Sequence, residues 1–447
     1  MKRILIAGTH SGCGKTSVVC AVLQAFINRK ISVTAFKCGP DYIDPMFHSR
    51  ITGVPAYNLD RRFCDKNTVN YLLQTYGGDF AVIEGVMGFY DGADENSSTC
   101  AVSFDTGTPT VIVVDCKGMS QSAGALIQGF LNYRQNKIAG FIFNRLPESI
   151  IPQTKELCRE LGTEYLGRLP YSKEYKIESR HLGLVTADEI SDLKNKLLLL
   201  ADSAEKNILL DRIYEIAGQA EKINIKMRSI SAVSDKKIQI GIAYDKAFCF
   251  YYEESFELLR KLGCELVFFS PMHDKQLPNG ICGLWLGGGY PELYAKQLSE
   301  NTEMLKEIYS AISGGLPVIA ECGGYLYLSR EIEDINGISY KTAEFFDGKA
   351  YRTNKLNRFG YADLTANSDN LLCQKGDTLK SHEYHYWDCT NLGKDFTAAR
   401  KNGVSDLCVH CNDTIYAGFP HLYLWANVNS AERFVKKCLE YQNGKNK

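Results

Sequence analysis

The first 185 residues alternate short apolar runs with segments of helical periodicity. Five of these runs are bounded by glycine or polar residues and read as strands: RILIAG, SVTAFK, FAVIEG, TVIVVD and IAGFIFN. Continuous apolar strands that alternate with helices are typical of a parallel sheet covered on both faces. The pattern therefore predicts an α/β fold for this part of the chain.

The character of the sequence changes after this series. Residues 188–223 have the spacing of two amphipathic helices, and residues 224–237 are polar and short of large apolar side chains, as in a linker. A second α/β series follows, with the runs IQIGIAYD, CELVFFSP, GLWLGGGYPE and PVIAECGG. We predict a first domain over residues 1–225, a linker over 226–237 and a second domain over 238–447.

The composition adds few constraints. A chain of 447 residues with 45% hydrophobic and 23% charged residues is an ordinary globular protein with room for two or three domains. A net charge of -1 gives no electrostatic reason to expect nucleic acid or anionic lipid as a partner. No apolar run approaches the ~20 residues that span a membrane. We expect a cytoplasmic protein with no nucleic-acid and no membrane partner.

The segment RILIAGTHSGCGKTSVV places a glycine-rich loop between a strand and a helix. Glycines let backbone N–H groups surround phosphate oxygens, and the helix N-terminus adds partial positive charge. The lysine of such a loop reaches the β and γ phosphates, and its threonine hydroxyl ligates Mg²⁺. Thr9 stands where the usual pattern has its first glycine. The predicted nucleotide-binding residues are Gly12, Gly14, Lys15, Thr16, Ser17 and Asn144.

Four carboxylates follow the ends of predicted strands. Asp41 and Asp44 lie in FKCGPDYIDP, shortly after Lys37, and Glu84 and Asp91 lie in FAVIEGVMGFYDG. The carboxyl ends of parallel strands face one crevice, which is also where the phosphate loop would lie. A single surface aspartate is usually only solvated, but four of them at strand ends favour a metal and substrate site.

The run GLPVIAECGG ends on a thiol followed by two glycines. One interpretation is a buried structural cysteine beside a tight turn. The other is a nucleophile, Cys322, on a strand-to-helix elbow, where the helix N-terminus favours the thiolate and Gly323 and Gly324 permit the turn. A nucleophile of this kind needs an oxyanion hole and a base. The glycines of WLGGGYPE offer backbone N–H groups, and the histidine candidates are His421, His382 and His385.

Eight motifs occur in order along nearly the whole chain: AGTHSGCGKT, FKCGPDYIDPMFH, VIEGVMGFYDG, ESRHLGLV, AFCFYYEES, LGGGYPELYAKQL, AECGGYLYL and SHEYHYW. As an ordered set they resemble the cobyrinate a,c-diamide synthase family, glutamine amidotransferases of the cobalamin pathway. The resemblance implies a dethiobiotin-synthetase-like phosphate-loop domain followed by a class I glutamine amidotransferase domain. It also implies that ATP, Mg²⁺ and L-glutamine are used to amidate the a and c side-chain carboxylates of cobyrinate.

The resemblance also assigns roles to residues. It implies Cys322 as the glutaminase nucleophile and His421 as the residue that activates it. Asp41, Asp44, Glu84 and Asp91 match family motifs tied to metal, nucleotide and corrinoid handling, and the match leaves open which residue has which role. From the residues themselves we predict metal ligands Thr16, Asp41 and Glu84, substrate-binding residues Tyr42, Asp44 and Asp91, and an oxyanion hole of Gly288, Gly289 and Gly323.

The sequence departs from the common amidotransferase pattern at one informative place. Many of these enzymes carry a glutamate two residues after the histidine, and here that residue is Tyr423. The third orienting group is therefore unassigned, with Glu383 as a candidate.

Two alternatives stay open. The same chemistry could act on nickel-sirohydrochlorin or on hydrogenobyrinate, and a more distant hypothesis is a nucleotide switch of the partitioning type. The oligomeric state is also open, with a homodimer as one candidate.

Overall fold

The computed structural model describes residues 1–176, 179–180, 183–184, 192–225, 229–353, 356, 358–401 and 403–445. The chain divides into two compact units, residues 1–227 and 228–447. The division falls in the predicted linker, whose residues 226–228 lie outside the described part. Residues 178, 181–182 and 185 of the ESRHLGLV motif also lie outside it.

Seven strands of the first unit form one sheet in which all neighbours run parallel. Along the chain they are β1 (Lys2–Gly8), β2 (Thr34–Cys38), β3 (Tyr57–Leu59), β4 (Phe80–Glu84), β5 (Thr110–Asp115), β6 (Ile138–Asn144) and β7 (Tyr165–Leu169). Their order across the sheet is β3-β2-β4-β1-β5-β6-β7. The five predicted runs are confirmed as β1, β2, β4, β5 and β6. A short antiparallel pair, β8 (Ser179–Arg180) and β9 (Gly183–Leu184), follows.

The helices of the first unit are α1 (Lys15–Asn28), α2 (Ile43–Thr52), α3 (Lys66–Tyr76), α4 (Thr99–Thr106), α5 (Ala123–Asn132), α6 (Ile151–Glu160), α7 (Leu193–Asn207) and α8 (Leu210–Ala217). The side chain of Asp65 caps α3 by accepting the N–H of Thr68, and Ser98 caps α4 in the same way. The last two helices confirm the amphipathic pair predicted after the first α/β series.

Strands of the second unit run from β10 to β24. They are β10 (Ile238–Ala243), β11 (Cys264–Phe269), β12 (Gly283–Leu286), β13 (Val318–Glu321), β14 (Glu331–Glu333), β15 (Ser339–Lys341), β16 (Lys349–Arg352), β17 (Arg358–Ala366), β18 (Thr378–His385), β19 (Trp387–Cys389), β20 (Phe396–Arg400), β21 (Ser405–Cys408), β22 (His410–Cys411), β23 (Ile415–Gly418) and β24 (His421–Leu422). Its helices are α9 (Glu253–Lys261), α10 (Ala295–Glu300), α11 (Thr302–Ser313), α12 (Gly323–Leu328) and α13 (Val428–Lys445).

The main sheet of the second unit has the order β11-β10-β12-β13-β23-β22 and is parallel except for β22. Buried side chains from β12, α11 and α12, among them Leu284, Met304 and Tyr325, form one core with β13, the strand that directly precedes Cys322. The predicted α/β series is therefore confirmed here as well.

Two further sheets, β15-β14-β16-β19 and β21-β20-β17-β18-β24, were not predicted from the sequence. Their strands are short or alternate buried with partly exposed residues, as in β17, so no continuous apolar run marks them. Within the described residues, no helix combines the length and the apolar character needed to cross a membrane.

We expect Gly324→Ala to destabilise the second unit. A Cβ at this position would lie 2.1 Å from the carbonyl oxygen of Leu286, a backbone atom that cannot turn away. Overpacking of this kind costs about 3 kcal/mol, so thermal unfolding followed by circular dichroism should begin at lower temperature.

Gly129→Ala is the matched control. A Cβ at Gly129, inside α5, meets no atom within 4 Å, and alanine favours helix over glycine. This variant should unfold at the wild-type temperature or above it. Equal destabilisation by both substitutions would contradict the packing described for Gly324.

Candidate active sites

The loop between β1 and α1 has the geometry of a phosphate loop. Gly12 and Gly14 have φ angles of 81° and 94°, and Lys15 is the first residue of α1. The side-chain amide of Asn144, at the end of β6, donates a 2.9 Å hydrogen bond to the carbonyl of Cys13. Asn144, predicted to bind nucleotide, therefore lies against the loop and braces it.

Thr16, Asp44 and Glu84 converge beside this loop, with Lys37 between the two carboxylates. The Thr16 hydroxyl donates to Glu84 Oε1 at 2.7 Å and lies 3.4 Å from Asp44 Oδ2. The ammonium of Lys37 donates to the same two oxygens, at 2.9 Å and 2.5 Å. The parallel sheet causes this convergence, because β2 and β4 are neighbours and end at the same edge.

His48 completes the cluster and was missed in the sequence. Its Nε2 lies 2.7 Å from Glu84 Oε2, and both side chains are fully buried. His48 follows Asp44 by four residues in α2, so both share one helix face. That spacing within FKCGPDYIDPMFH is the signal that could have identified it.

Burial disfavours the charged forms of the groups in this cluster. For Lys37 and Glu84, the neighbouring charges have a larger effect on the pKa than burial has. Burial alone would lower the pKa of Lys37, but Asp44 and Glu84 raise it above its ordinary value. Burial alone would raise the pKa of Glu84, but Lys37 and His48 hold it well below its usual range. For Lys15, burial and the positive charge of Lys37 lower the pKa. A phosphate beside Lys15 would supply the negative charge that favours its protonated form.

The donor set fits Mg²⁺. This ion binds proteins through one or two carboxylates and completes its octahedron with water and phosphate oxygens. Glu84, Asp44 and Thr16 gather two carboxylates and a hydroxyl around one point. Asp41, a predicted ligand, accepts the N–H groups of Ile43 and Asp44 through its Oδ1 at the start of α2. Its role as a metal ligand stays a prediction.

The other residues predicted in this unit lie nearby. Ser17 is in the first turn of α1, and Tyr42 is partly buried just before α2. Asp91 is exposed, and its Oδ2 accepts the N–H of Gly88 at 2.9 Å. The loop that carries Asp91 runs along the phosphate loop, because Phe89 N–H donates to the carbonyl of Gly8.

Cys322 lies on a strained elbow between β13 and α12. Its φ of 45° and ψ of -103° are sparsely populated for any residue other than glycine. Its N–H donates to the carbonyl of Gly418 in β23, and its carbonyl accepts the N–H of Leu326 in α12. The residue is 8% exposed, so Cys322 is largely buried.

The predicted oxyanion residues lie beside this elbow. A Cβ at Gly323 would lie 3.1 Å from the backbone nitrogen of Gly289, so these two residues are adjacent. A Cβ at Gly288 would lie 2.4 Å from His421 Cε1, and only glycine allows the ring to come so close. Gly288, Gly289 and Gly323 are thus brought together with Cys322 and His421.

His421, on β24, is the candidate histidine beside the thiol. Burial alone would lower its pKa, but hydrogen bonding and the charges of Cys322 and Glu321 raise it to about 10. The ring is therefore protonated at neutral pH and can stabilise a thiolate. This pairing favours a nucleophilic cysteine over a structural one.

The other two candidate histidines are neutral and packed. His382 lies opposite His421 in the pairing of β18 with β24, and burial, with the charge of His421, lowers its pKa to about 3. His385 stacks on Phe419 at a centroid distance of 3.9 Å, and burial lowers its pKa to about 3 as well. Neither ring carries a positive charge at neutral pH.

Glu383 is not the orienting group for His421, so that prediction is wrong. Its Oε2 accepts a 2.6 Å hydrogen bond from Arg400 in a buried ion pair. Because His382 is opposite His421, the next residue on the strand, Glu383, points to the other face of the sheet. The carboxylate that does face His421 belongs to Glu321.

Comparisons with known proteins find a family match in each of the two units. Residues 4–185 match the CobQ/CobB/MinD/ParA nucleotide binding domain, and residues 239–428 match the CobB/CobQ-like glutamine amidotransferase domain. The chain is 36% identical to proteins from Caldanaerobacter subterraneus subsp. tengcongensis and Thermoplasma volcanium, and 38% identical to one from Clostridium tetani. Each is named cobyrinate a,c-diamide synthase, and each comparison covers 98% of this chain and at least 98% of the relative.

We expect Cys322→Ala to lower the pKa of His421, because the variant removes the partner that most favours the protonated ring. The folded pKa of about 10 exceeds the ordinary 6.5, so protonated His421 stabilises the fold below about pH 6.5 and loses this effect as pH rises through about 10. The stability difference between wild type and variant should therefore shrink as pH rises.

Histidine ring resonances titrated by NMR measure this pKa directly, and denaturant unfolding at several pH values measures the linked stability. Cys264→Ala, which removes another buried thiol of the second unit, should leave the titration of His421 unchanged. A His421 titration that is the same in wild type and Cys322→Ala would contradict the interaction of His421 with Cys322.

Proposed function

Because the chain belongs to the cobyrinate a,c-diamide synthase family, we propose that it converts the a and c carboxylates of cobyrinate into amides, using ATP and glutamine. One observation carries this proposal: a single chain holds a phosphate loop beside a carboxylate–lysine cluster and, in its other unit, a thiol on a strained elbow beside a protonated histidine. Activation of an acid and release of nitrogen from glutamine need these two kinds of site.

The first unit would activate the carboxylate. The γ-phosphoryl group of ATP passes to a corrinoid carboxylate oxygen, which gives an acyl phosphate and ADP. Lys15 stabilises the charge on the transferring group, since positioning and electrostatics dominate this chemistry. Thr16, Asp44 and Glu84 would hold Mg²⁺, which neutralises phosphate charge when bound. His48 keeps Glu84 oriented through its second oxygen.

The second unit would release ammonia. The Cys322 thiolate attacks the carboxamide carbon of glutamine, and backbone N–H groups of the Gly288–Gly289 and Gly323 region face the developing oxyanion. Protonated His421 donates its proton to the departing nitrogen, so ammonia leaves and a thioester remains. Water then hydrolyses the thioester to glutamate and regenerates the thiol. Ammonia attacks the acyl phosphate, and phosphate leaves as the amide forms.

We expect Cys322→Ala to lose glutamine-dependent amidation by a factor on the order of 10³ or more, because the covalent route is gone. Amidation with added ammonium salt should survive, since the first unit is intact. Lys15→Ala should lose synthesis from either nitrogen source. Product formation is followed by mass spectrometry. Retained synthesis in Lys15→Ala, or loss of both activities in Cys322→Ala, would count against the division of labour.

The identity of the tetrapyrrole has its own test. Purified protein is incubated with ATP, glutamine and, in parallel, cobyrinate, hydrogenobyrinate or nickel-sirohydrochlorin. We expect the mass change of two carboxyl-to-amide conversions with cobyrinate. Faster turnover of another tetrapyrrole would transfer the proposal to that substrate. Absence of glutamine cleavage with all three would instead favour a nucleotide switch, for which the cysteine elbow has no use.

A further inference from the structure

Glu321 is the last residue of β13 and directly precedes the nucleophile. Its side chain is 2% exposed, and its two oxygens reach two successive residues of β24. Oε1 accepts the backbone N–H of Leu422 at 2.9 Å, while Oε2 lies 3.9 Å from Nδ1 of His421. The carboxylate is therefore anchored to the strand that carries the histidine and faces its ring.

The neighbouring acidic and phenolic groups have other roles. Tyr423, two residues after His421, carries no carboxylate, and its buried ring packs edge-on against Tyr252 at 5.0 Å. Glu383 is held by Arg400. Asp245 accepts the N–H groups of its own turn and of Met272. Glu321 forms an ion pair with His421 through the contact between Oε2 and Nδ1.

The contact with Nδ1 has a chemical consequence. A carboxylate at Nδ1 favours the ring state with a proton on that nitrogen, which leaves Nε2 to exchange a proton with the thiol. The distance of 3.9 Å is longer than a hydrogen bond. Catalytic contacts are often long before substrate binds and shorten in the complex.

We propose that Glu321 is a positioning residue for His421 and supplies the orienting carboxylate that position 423 lacks. The inference rests on the proposed glutaminase function of Cys322 and His421. Glu321 holds the imidazole towards the thiol and favours its protonated state while glutamine is cleaved.

Glu321→Gln separates this role from a merely structural one. The glutamine oxygen can still accept the Leu422 N–H, so the anchor to β24 is kept while the charge at Nδ1 is removed. Glu383→Gln is the matched control, because it neutralises another buried glutamate of the same unit that does not face His421. Glu321→Asp keeps the charge but shortens its reach.

For Glu321→Gln we expect glutaminase kcat to fall about tenfold to a hundredfold with little change in KM, a part of the ~10²–10⁴ that acid–base catalysis contributes. The alkaline limb of the pH–rate profile should move to lower pH, because the ring loses a neighbouring negative charge. In Glu321→Asp, the alkaline limb of the pH–rate profile should stay at the wild-type pH while kcat is reduced. In Glu383→Gln, both the alkaline limb and kcat should equal those of the wild type.

A second readout does not depend on glutamine cleavage. The rate at which iodoacetamide alkylates Cys322, followed by peptide mass spectrometry over the same pH range, measures how the reactivity of this thiol depends on the protonation of its neighbours. If no tetrapyrrole is amidated, the proposed function fails while this profile still tests Glu321. The proposal is overturned if the pH profiles of Glu321→Gln match those of the wild type in both assays. It is also overturned if Glu383→Gln shows the same fall in kcat and the same shift of the alkaline limb as Glu321→Gln. If Glu321→Gln does not fold, a limb shifted to lower pH in Glu321→Asp overturns it.

Discussion

The left-handed backbone of Cys322 is the constraint on which the chemistry of the second unit depends. Such a conformation is unfavourable by about 1–3 kcal/mol for a residue with a side chain, so it persists only where neighbours fix it. Here Gly418 holds the N–H of Cys322, Leu326 holds its carbonyl, and Gly324 packs directly on the backbone of Leu286. The turn projects the thiol from the end of β13 towards His421 and the glycines that surround it.

The first unit organises its site by charge compensation. Lys37, Asp44 and Glu84 are buried, and buried charges are tolerated only when each has a close partner. His48 and Thr16 satisfy the remaining contacts of Glu84, so its carboxylate stays ionised. The carboxylates of this cluster could accept a divalent cation, and the ammonium group of the neighbouring Lys15 is the one placed for a phosphate.

The two units also differ in how far the sequence could predict them. The parallel strands and the phosphate loop were identified because buried strands are continuous apolar runs and the loop has a local glycine–lysine–threonine signature. Strand β7 was missed because Gly167 and Arg168 interrupt its apolar run, and β17 was missed because its residues alternate in exposure. His421 was identified by resemblance. His48 was missed although it follows Asp44 by four residues in one helix, and Glu321 was missed because no local pattern indicates its partner.

By itself the sequence determined the α/β architecture of both units and the phosphate loop, because these depend on local periodicity or on a contiguous motif. It also predicted Cys322 as nucleophile and, with the help of the family resemblance, His421 as its partner. Only the tertiary structure shows which carboxylates lie beside Thr16 and beside His421. Asp44 rather than Asp41 meets Thr16, and Glu321 rather than Glu383 faces His421. Asp44 lies in the first turn of α2, whereas Asp41 accepts backbone N–H groups at the start of that helix. For Glu321 and Glu383 the cause is strand register: a shift of one residue turns a side chain to the opposite face, and register follows from pairing between distant segments of the chain.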